Sequence, residues 1–253
     1  MEMLDLTLPL EKDLNVLPYG EPGCGKTRFV ASVGEVLYTL AIDVDKGFKT
    51  MKLVPKPWLN NIVAIQMTTF KDLDKIYKLA QKNDPDEWTK EFSTPDKPIK
   101  ITKPFEAICF DTWSEVNWKV KEERRRIAGK ISTGLSFRGS LEIQHWGDIY
   151  DLNILSIEAF RDLPITFICT MHEQVIQDDK LGVVRGVPSL NGKAASEVGK
   201  HFDVVGHMTI DLAGKYVMDF KTIKRFQAKT RLASKDGKLI DPTFQKLIAD
   251  IGA

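Results

Sequence analysis

The 253-residue sequence predicts an α/β fold with a mostly parallel central sheet, helices on both faces and antiparallel strands near the C-terminus. Three observations carry that prediction. Short apolar runs recur at 14–19, 36–42, 61–66, 105–110 and 164–170, the continuous kind shown by strands buried on both faces. Between them lie stretches with apolar residues at helical spacing, clearest at 70–80 behind a capping Thr69. From residue 204 the period changes to two, over 204–210, 215–220 and 223–228, with a tight turn near Ala213-Gly214.

Composition bounds the reading. A net charge of +1 with 43% hydrophobic and 28% charged residues fits one soluble α/β domain over 1–253, its core at about 14–231 and an extension at 232–253. No apolar run reaches the length of a membrane span, and Met1-Glu2-Met3-Leu4-Asp5 lacks the regions of a signal peptide. A cytoplasmic protein without a membrane partner is expected. Cys24, Cys109 and Cys169 are an odd, widely spaced set, so buried free thiols are expected rather than disulfides or a zinc site. Near-neutral charge does not announce a nucleic-acid binder; basic residues would have to be concentrated locally.

Taken in order, residues 1–13 read as an edge strand or arm. The first core strand then runs into Gly20-Glu21-Pro22-Gly23-Cys24-Gly25-Lys26-Thr27, which fits the phosphate-loop pattern G-x-x-x-x-G-K-[ST] between a strand and a helix. Gly20, Gly23 and Gly25 are expected to take φ > 0 and let backbone N–H groups approach an anion. The following helix adds its positive end. Lys26 supplies a charge for the β- and γ-phosphates and the Thr27 hydroxyl a ligand for Mg²⁺. The nucleotide contacts are therefore expected over Gly20, Glu21, Pro22, Gly23, Cys24, Gly25, Lys26, Thr27 and the adjoining Arg28, with ATP and Mg²⁺ as the ligands.

Gly34 ends the first helix, and the second strand runs into Asp43-Val44-Asp45-Lys46-Gly47. After a third strand and the helix at 70–80, residues 83–104 are rich in Pro, Asp, Lys and Thr and read as a surface excursion. The strand 105–110 ends in Asp111, which would hold Mg²⁺ directly or through water, or else cap the helix at 113–127. That helix has a basic end: Lys119, Lys121, Arg124, Arg125, Arg126 and Lys130 against Glu122 and Glu123. A mobile loop at 129–140, a helix from Gln144 to about Asp162, and a strand ending at Met171-His172-Glu173 follow. Residues 174–200 lack periodicity and read as a second loop. A short helix around 242–249 closes the chain.

This order of parts resembles the RecA-like ATPase core, and more narrowly the small phage-encoded RecA-like or AAA-type ATPases associated with single-strand annealing and recombination. The pieces that carry the resemblance are 20–27, Ile42-Asp43-Val44-Asp45-Lys46-Gly47, Ile108-Cys109-Phe110-Asp111-Thr112, His145-Trp146-Gly147, Asp162-Leu163-Pro164, Cys169-Thr170-Met171-His172-Glu173, His201-Phe202-Asp203-Val204-Val205-Gly206, and Phe226-Gln227-Ala228-Lys229-Thr230-Arg231. The resemblance implies that Asp45 orients or deprotonates the attacking water, as an Asp where Glu is usual, with Asp43 a competitor. It implies that His172 senses the γ-phosphate, with Glu173 as a substitute and a structural histidine as the alternative. It implies that Lys229 and Arg231 reach a neighbouring subunit's nucleotide in a ring or filament, and that single-stranded DNA is held by two loops. Those loops contribute Phe137 and Arg138 from the first, and Lys180, Arg185 and Lys193 from the second.

The expected function is a DNA-stimulated, homo-oligomeric ATPase of recombination, annealing or replication, working with a single-strand-binding or recombination partner. A ring helicase or helicase loader would add an α-helical lid, against which the strand-like 204–228 argues. A nucleotide-gated DNA-binding scaffold with slow hydrolysis stays open because of Asp45. A small-molecule kinase would need an Arg-rich lid, and no such set stands out.

Overall fold

The computed structural model describes residues 14–94, 96, 98–129, 141–178, 182–221 and 225–252. The expected edge strand at 1–13 and, apart from Gly129, the expected mobile loop at 129–140 lie outside them. The sheet is built from β1 (Asn15–Gly20), β2 (Thr39–Asp43), β3 (Ile62–Gln66), β4 (Ala107–Asp111), β5 (Thr166–Cys169) and β8 (Val204–Ile210), in the spatial order β8-β1-β5-β4-β2-β3. All of these pairings are parallel. On the outer side of β8, β9 (Tyr216–Asp219) pairs antiparallel, and β11 (Lys238–Ile240) pairs antiparallel with β9. The chain has the α/β architecture of a phosphate-loop nucleotidase core, with β5 between the loop-bearing β1 and the acid-ended β4.

Alternation along each parallel strand decides what each face buries. Leu17, Tyr19, Leu40, Ile42, Ile108, Phe110 and Phe167 point to one side, into a core shared with α3 (Phe70–Lys82), α5 (Trp113–Ile127) and α6 (Ile143–Arg161). Val16, Ala41, Cys109, Ile168, Val204 and Met208 point to the other, against α1 (Lys26–Val33), the short α2 (Lys56–Leu59) with its Trp58, and α8 (Phe244–Ile251). The first face is aromatic. Phe110 meets Trp113 at 5.0 Å and Phe160 at 4.9 Å, edge to face, pairs worth ~0.5–1.5 kcal/mol each beyond area burial. Smaller side chains on the second face let α1 lie close to the sheet, which brings its first turn to the strand ends. The three cysteines are free and buried, as expected.

Several elements differ from expectation. The second strand starts at Thr39 rather than 36, because residues 34–37 close the end of α1 with turns. The stretch 83–104 contains α4 (Pro85–Phe92), capped by Asp84, whose side chain accepts from the N–H groups of Asp86 and Glu87. Its Trp88 is fully buried, packed on Phe92 and Phe105. Residues 174–200 are not a plain loop: β6 (Met171–Asp178) and β7 (Val183–Pro188) form an antiparallel hairpin, followed by α7 (Ala194–Glu197). The first residues of β6 run parallel to β1 before the hairpin leaves the sheet.

Of the expected strand at 223–228, the described residues 225–228 form none. Residues 222–224 are outside the described set, Phe226 makes one bridge to Gly186, and the strand there is β10 (Lys229–Thr230), paired with the start of β8. The C-terminal stretch is woven into the core. The Phe244 N–H donates to Ser32 Oγ at 2.9 Å, and Phe244 and Leu247 are fully buried beside α1. No helix among the described residues is long and apolar enough to cross a membrane.

Candidate nucleotide-binding site

The site lies at the carboxyl ends of β1, β2, β4 and β5, where parallel strands deliver their loops to one edge. Gly23 and Gly25 hold φ of 85° and 95°, a backbone that L residues adopt only with strain. Gly25 also faces Tyr216, whose ring would stand 2.8 Å from an added Cβ. Gly20 corrects the expectation for all three glycines, since its φ is not positive. It is small because β8 passes against it: a Cβ there would meet the Met208 carbonyl oxygen at 2.2 Å.

Lys26 is buried, and its Nζ donates to the carbonyls of Gly20 and Glu21, both at 2.8 Å. The ammonium is thus held under the loop by the loop's own backbone. Cys24 Sγ lies 3.6 Å away, and burial pushes that thiol above its ordinary range, so it serves as filler rather than nucleophile. No side chain caps α1, which begins at the left-handed Gly25. That end therefore presents its first-turn N–H groups to an anion.

Asp111 is 2% exposed and receives two hydroxyls, Thr27 Oγ1 on Oδ2 and Thr170 Oγ1 on Oδ1, each at 2.5 Å. Burial pushes its carboxyl above the ordinary range against those hydrogen bonds, with Asp45 adding to the rise and Lys26 opposing it. It does not cap α5, whose N-cap is Thr112. A carboxylate and a hydroxyl converging beside a phosphate loop suit Mg²⁺, which takes few protein oxygens and completes its shell with phosphate and water. Among the described residues no cluster of three or more His, Cys, Asp or Glu offers a fuller cage. The donor set thus fits the ion the sequence implied.

Asp45 and His172 line the same cavity of about 490 Å³ together with Lys26, Thr27 and Asp111. Asp43 does not. Its two oxygens accept from the N–H groups of Gly47 and Phe48 and pin the 3-10 turn at Gly47–Leu53. Asp45 also accepts from the Gly47 N–H, at 2.8 Å. His172 is held by its backbone, whose N–H donates to Ser114 Oγ. Its Nδ1 is buried without a hydrogen-bond partner, and burial, then Lys26, keep the ring below its ordinary pKa and neutral. Glu173 points the other way, its Oε2 3.2 Å from His207 Nε2, and does not line the cavity.

Residues the sequence did not single out complete the wall: Thr50, Leu53, Val54 and Tyr216. The Arg28 guanidinium stands 5.2 Å from the Trp58 ring centre and 5.7 Å from that of Tyr216. Tyr216 is two strands away from the loop and carried no local signal. Thr170 lay within a recognised stretch, but its hydrogen bond to Asp111 becomes visible only once β5 is seen between β1 and β4.

Lys229 and Arg231 are not brought to this cavity. Lys229 pairs with Val205, level with Leu17, while the phosphate loop leaves β1 level with Met208. Arg231 Nη1 bonds Asp203 Oδ1 at 3.3 Å, and Nη2 bonds the Lys200 carbonyl. Of the expected nucleic-acid contacts, Phe137, Arg138 and Lys180 lie outside the described residues. Arg185 is half-buried on β7, and the largely exposed Lys193 pairs with Glu197 at 2.9 Å.

A family profile described as an AAA domain matches residues 12–232. The chain therefore belongs to that family of phosphate-loop ATPase domains. No curated protein matches the chain by sequence.

Proposed function

We propose that the protein hydrolyses ATP with Mg²⁺ and couples that cycle to single-stranded DNA in recombination, annealing or replication of the phage type. The observation that supports it best is the pinned set Thr27–Asp111–Thr170 beside Lys26, with Asp45 and His172 on the same cavity. Mg²⁺, when bound by Thr27 and Asp111, neutralises phosphate charge. The loop glycines and Lys26 position the β- and γ-phosphates, and the neutral His172 ring offers a hydrogen bond at the γ-phosphate end. Asp45 orients water. Charge at the transferring phosphoryl group is completed by Lys229 and Arg231 of a neighbouring copy, which requires a ring or filament.

The test is ATP turnover across protein concentration, with and without oligo-dT, for the wild type and Arg231→Ala. Turnover per subunit should rise with both, and the variant should lose most of that rise. Turnover flat in concentration and untouched by Arg231→Ala removes the shared site, and indifference to oligo-dT removes the DNA reading. The Gly47 N–H on Asp45 favours one second reading, a nucleotide-gated scaffold, because a carboxylate already engaged is a slower base. Tight ATP binding with negligible turnover would favour it.

A further inference from the structure

Beyond the nucleotide site, one stripe of α5 is chemically distinctive. Ser114, Trp118, Lys121 and Arg125 are spaced i, i+4, i+7 and i+11 and share one side of the helix. At its head Ser114 Oγ accepts from the His172 N–H and donates to the Ser189 carbonyl, which joins the stripe to the nucleotide cavity. Further along, Trp118 is 38% exposed, and across the seam Trp146 of α6 is 42% exposed. The other three tryptophans, Trp58, Trp88 and Trp113, are buried.

The cations on this face are placed unlike their neighbours. Lys121 Nζ stands 5.6 Å from the Trp118 ring centre and 5.9 Å from that of Trp146, and the Arg125 guanidinium 5.6 Å from Trp118. Arg124 and Arg126 are paired with Asp148 and Glu123. Lys121 and Arg125 make no ion pair with a carboxylate among the described residues, and Arg125 Nε and Nη1 are buried there without a hydrogen-bond partner, which leaves Nη2 as its outward donor. Two ring faces interleaved with two cations that pair with no carboxylate among the described residues match the chemistry of a single strand, whose bases stack and whose phosphates need positive charge. The surface continues to Lys193: one turn after Trp146, the Tyr150 hydroxyl donates to Glu197 at 2.6 Å, and Glu197 pairs with Lys193.

We propose that the α5–α6 face is a base-stacking platform for single-stranded nucleic acid, with Trp118 and Trp146 receiving bases and Lys121 and Arg125 receiving phosphates. This rests on the DNA reading above and adds a surface outside the loops that the sequence nominated. Since the stripe begins at Ser114, a strand on the platform lies on the helix that also holds the His172 backbone.

The test uses the full chain, labelled oligo-dT and an abasic oligonucleotide of equal length, with tryptophan emission and anisotropy as readouts. Oligo-dT should quench emission. Trp118→Ala with Trp146→Ala should bind oligo-dT about tenfold or more weakly, while abasic binding and the MgATP-induced rise in melting temperature stay unchanged. Lys121→Gln with Arg125→Gln should reduce the log–log salt slope by about 1.4. Should the alanine variant not fold, Trp118→Phe and Trp146→Phe keep the stacking surface and must each remove part of the quench. Wild-type affinity in the alanine variant overturns the platform and leaves the DNA reading standing. Equal binding of abasic and oligo-dT strands by the wild type overturns stacking. No binding of oligo-dT at low salt overturns both readings, and a loss of oligomer in the alanine variant makes this face a self-association surface instead.

Discussion

Thr27 Oγ1 donates to Asp111 Oδ2 at 2.5 Å, joining the first turn of α1 to the end of β4 across 84 positions of sequence. With Thr170 on the other oxygen, the carboxylate is fixed in direction before any ligand arrives, but at the cost of burying a charge.

Asp111→Asn should therefore separate stability from activity. Burial raises the native carboxyl above its ordinary value of 3.8, so the native state holds its proton to higher pH than the unfolded chain. Stability from this group is present at acid pH and is lost as pH climbs from 3.8 through the raised native value. The neutral variant lacks that loss. Calorimetry at pH 7 should show it melting higher than the wild type, while Mg²⁺-dependent turnover disappears. A lower melting temperature would contradict the account of Asp111 as a destabilising, functional charge.

The loop glycines should fail in different ways. Gly20→Ala drives a methyl into the Met208 carbonyl, and backbone overpacking of this kind costs about 1–3 kcal/mol or more of stability. Gly23→Ala meets no neighbour and keeps only the left-handed strain, about 1–2 kcal/mol. Chemical denaturation should thus rank Gly20→Ala below Gly23→Ala, and the reverse order would sink the steric explanation.

The half-buried His172 and the buried His201 have pKa values pressed below 6.5, chiefly by desolvation. Their neutral forms contribute stability that is full above pH 6.5 and is lost as pH falls through the depressed native values. The melting temperature of the wild type should drop between pH 7.5 and 5.5. His172→Asn should drop measurably less, and an unchanged pH profile would show that the ring is not buried as described.

Trp88 tests an element that composition concealed. Fully buried on the inner side of α4, stacked on Phe92 and edge-on to Phe105, it should cost about 3–5 kcal/mol when truncated to alanine. Urea unfolding should show that loss. A change under 1 kcal/mol would return 83–104 to the status of a surface excursion.

Legibility followed locality. The phosphate loop, the acid at the end of β4 and the Thr69 cap were readable because each is a short string whose chemistry is decided by its neighbours. The capping box at Thr69 and Asp72 formed as its sequence implies. The helix α4 had a local signal too, Asp84 before Pro85, but the proline weighed as a breaker rather than as a first-turn residue. The β6–β7 hairpin was obscured because Glu173, Gln174 and Gln177 dilute its apolar alternation. Tyr216, Thr170 and the role of Gly20 were out of reach, since each depends on which strands lie side by side. The same holds for Asp43 and Asp45: only the turn at Gly47–Leu53 shows which carboxylate is occupied as a cap and which also faces the cavity.

The most direct measurement is Mg²⁺-dependent release of phosphate from ATP by the purified chain, with Lys26→Ala and Asp111→Asn beside the wild type. The account predicts turnover in the wild type that needs Mg²⁺ and is abolished in both variants, while Lys26→Ala also loses nucleotide affinity by roughly tenfold or more, as expected for removing a charge-assisted contact. Wild-type turnover persisting in Lys26→Ala, or proceeding unchanged without Mg²⁺, would contradict it.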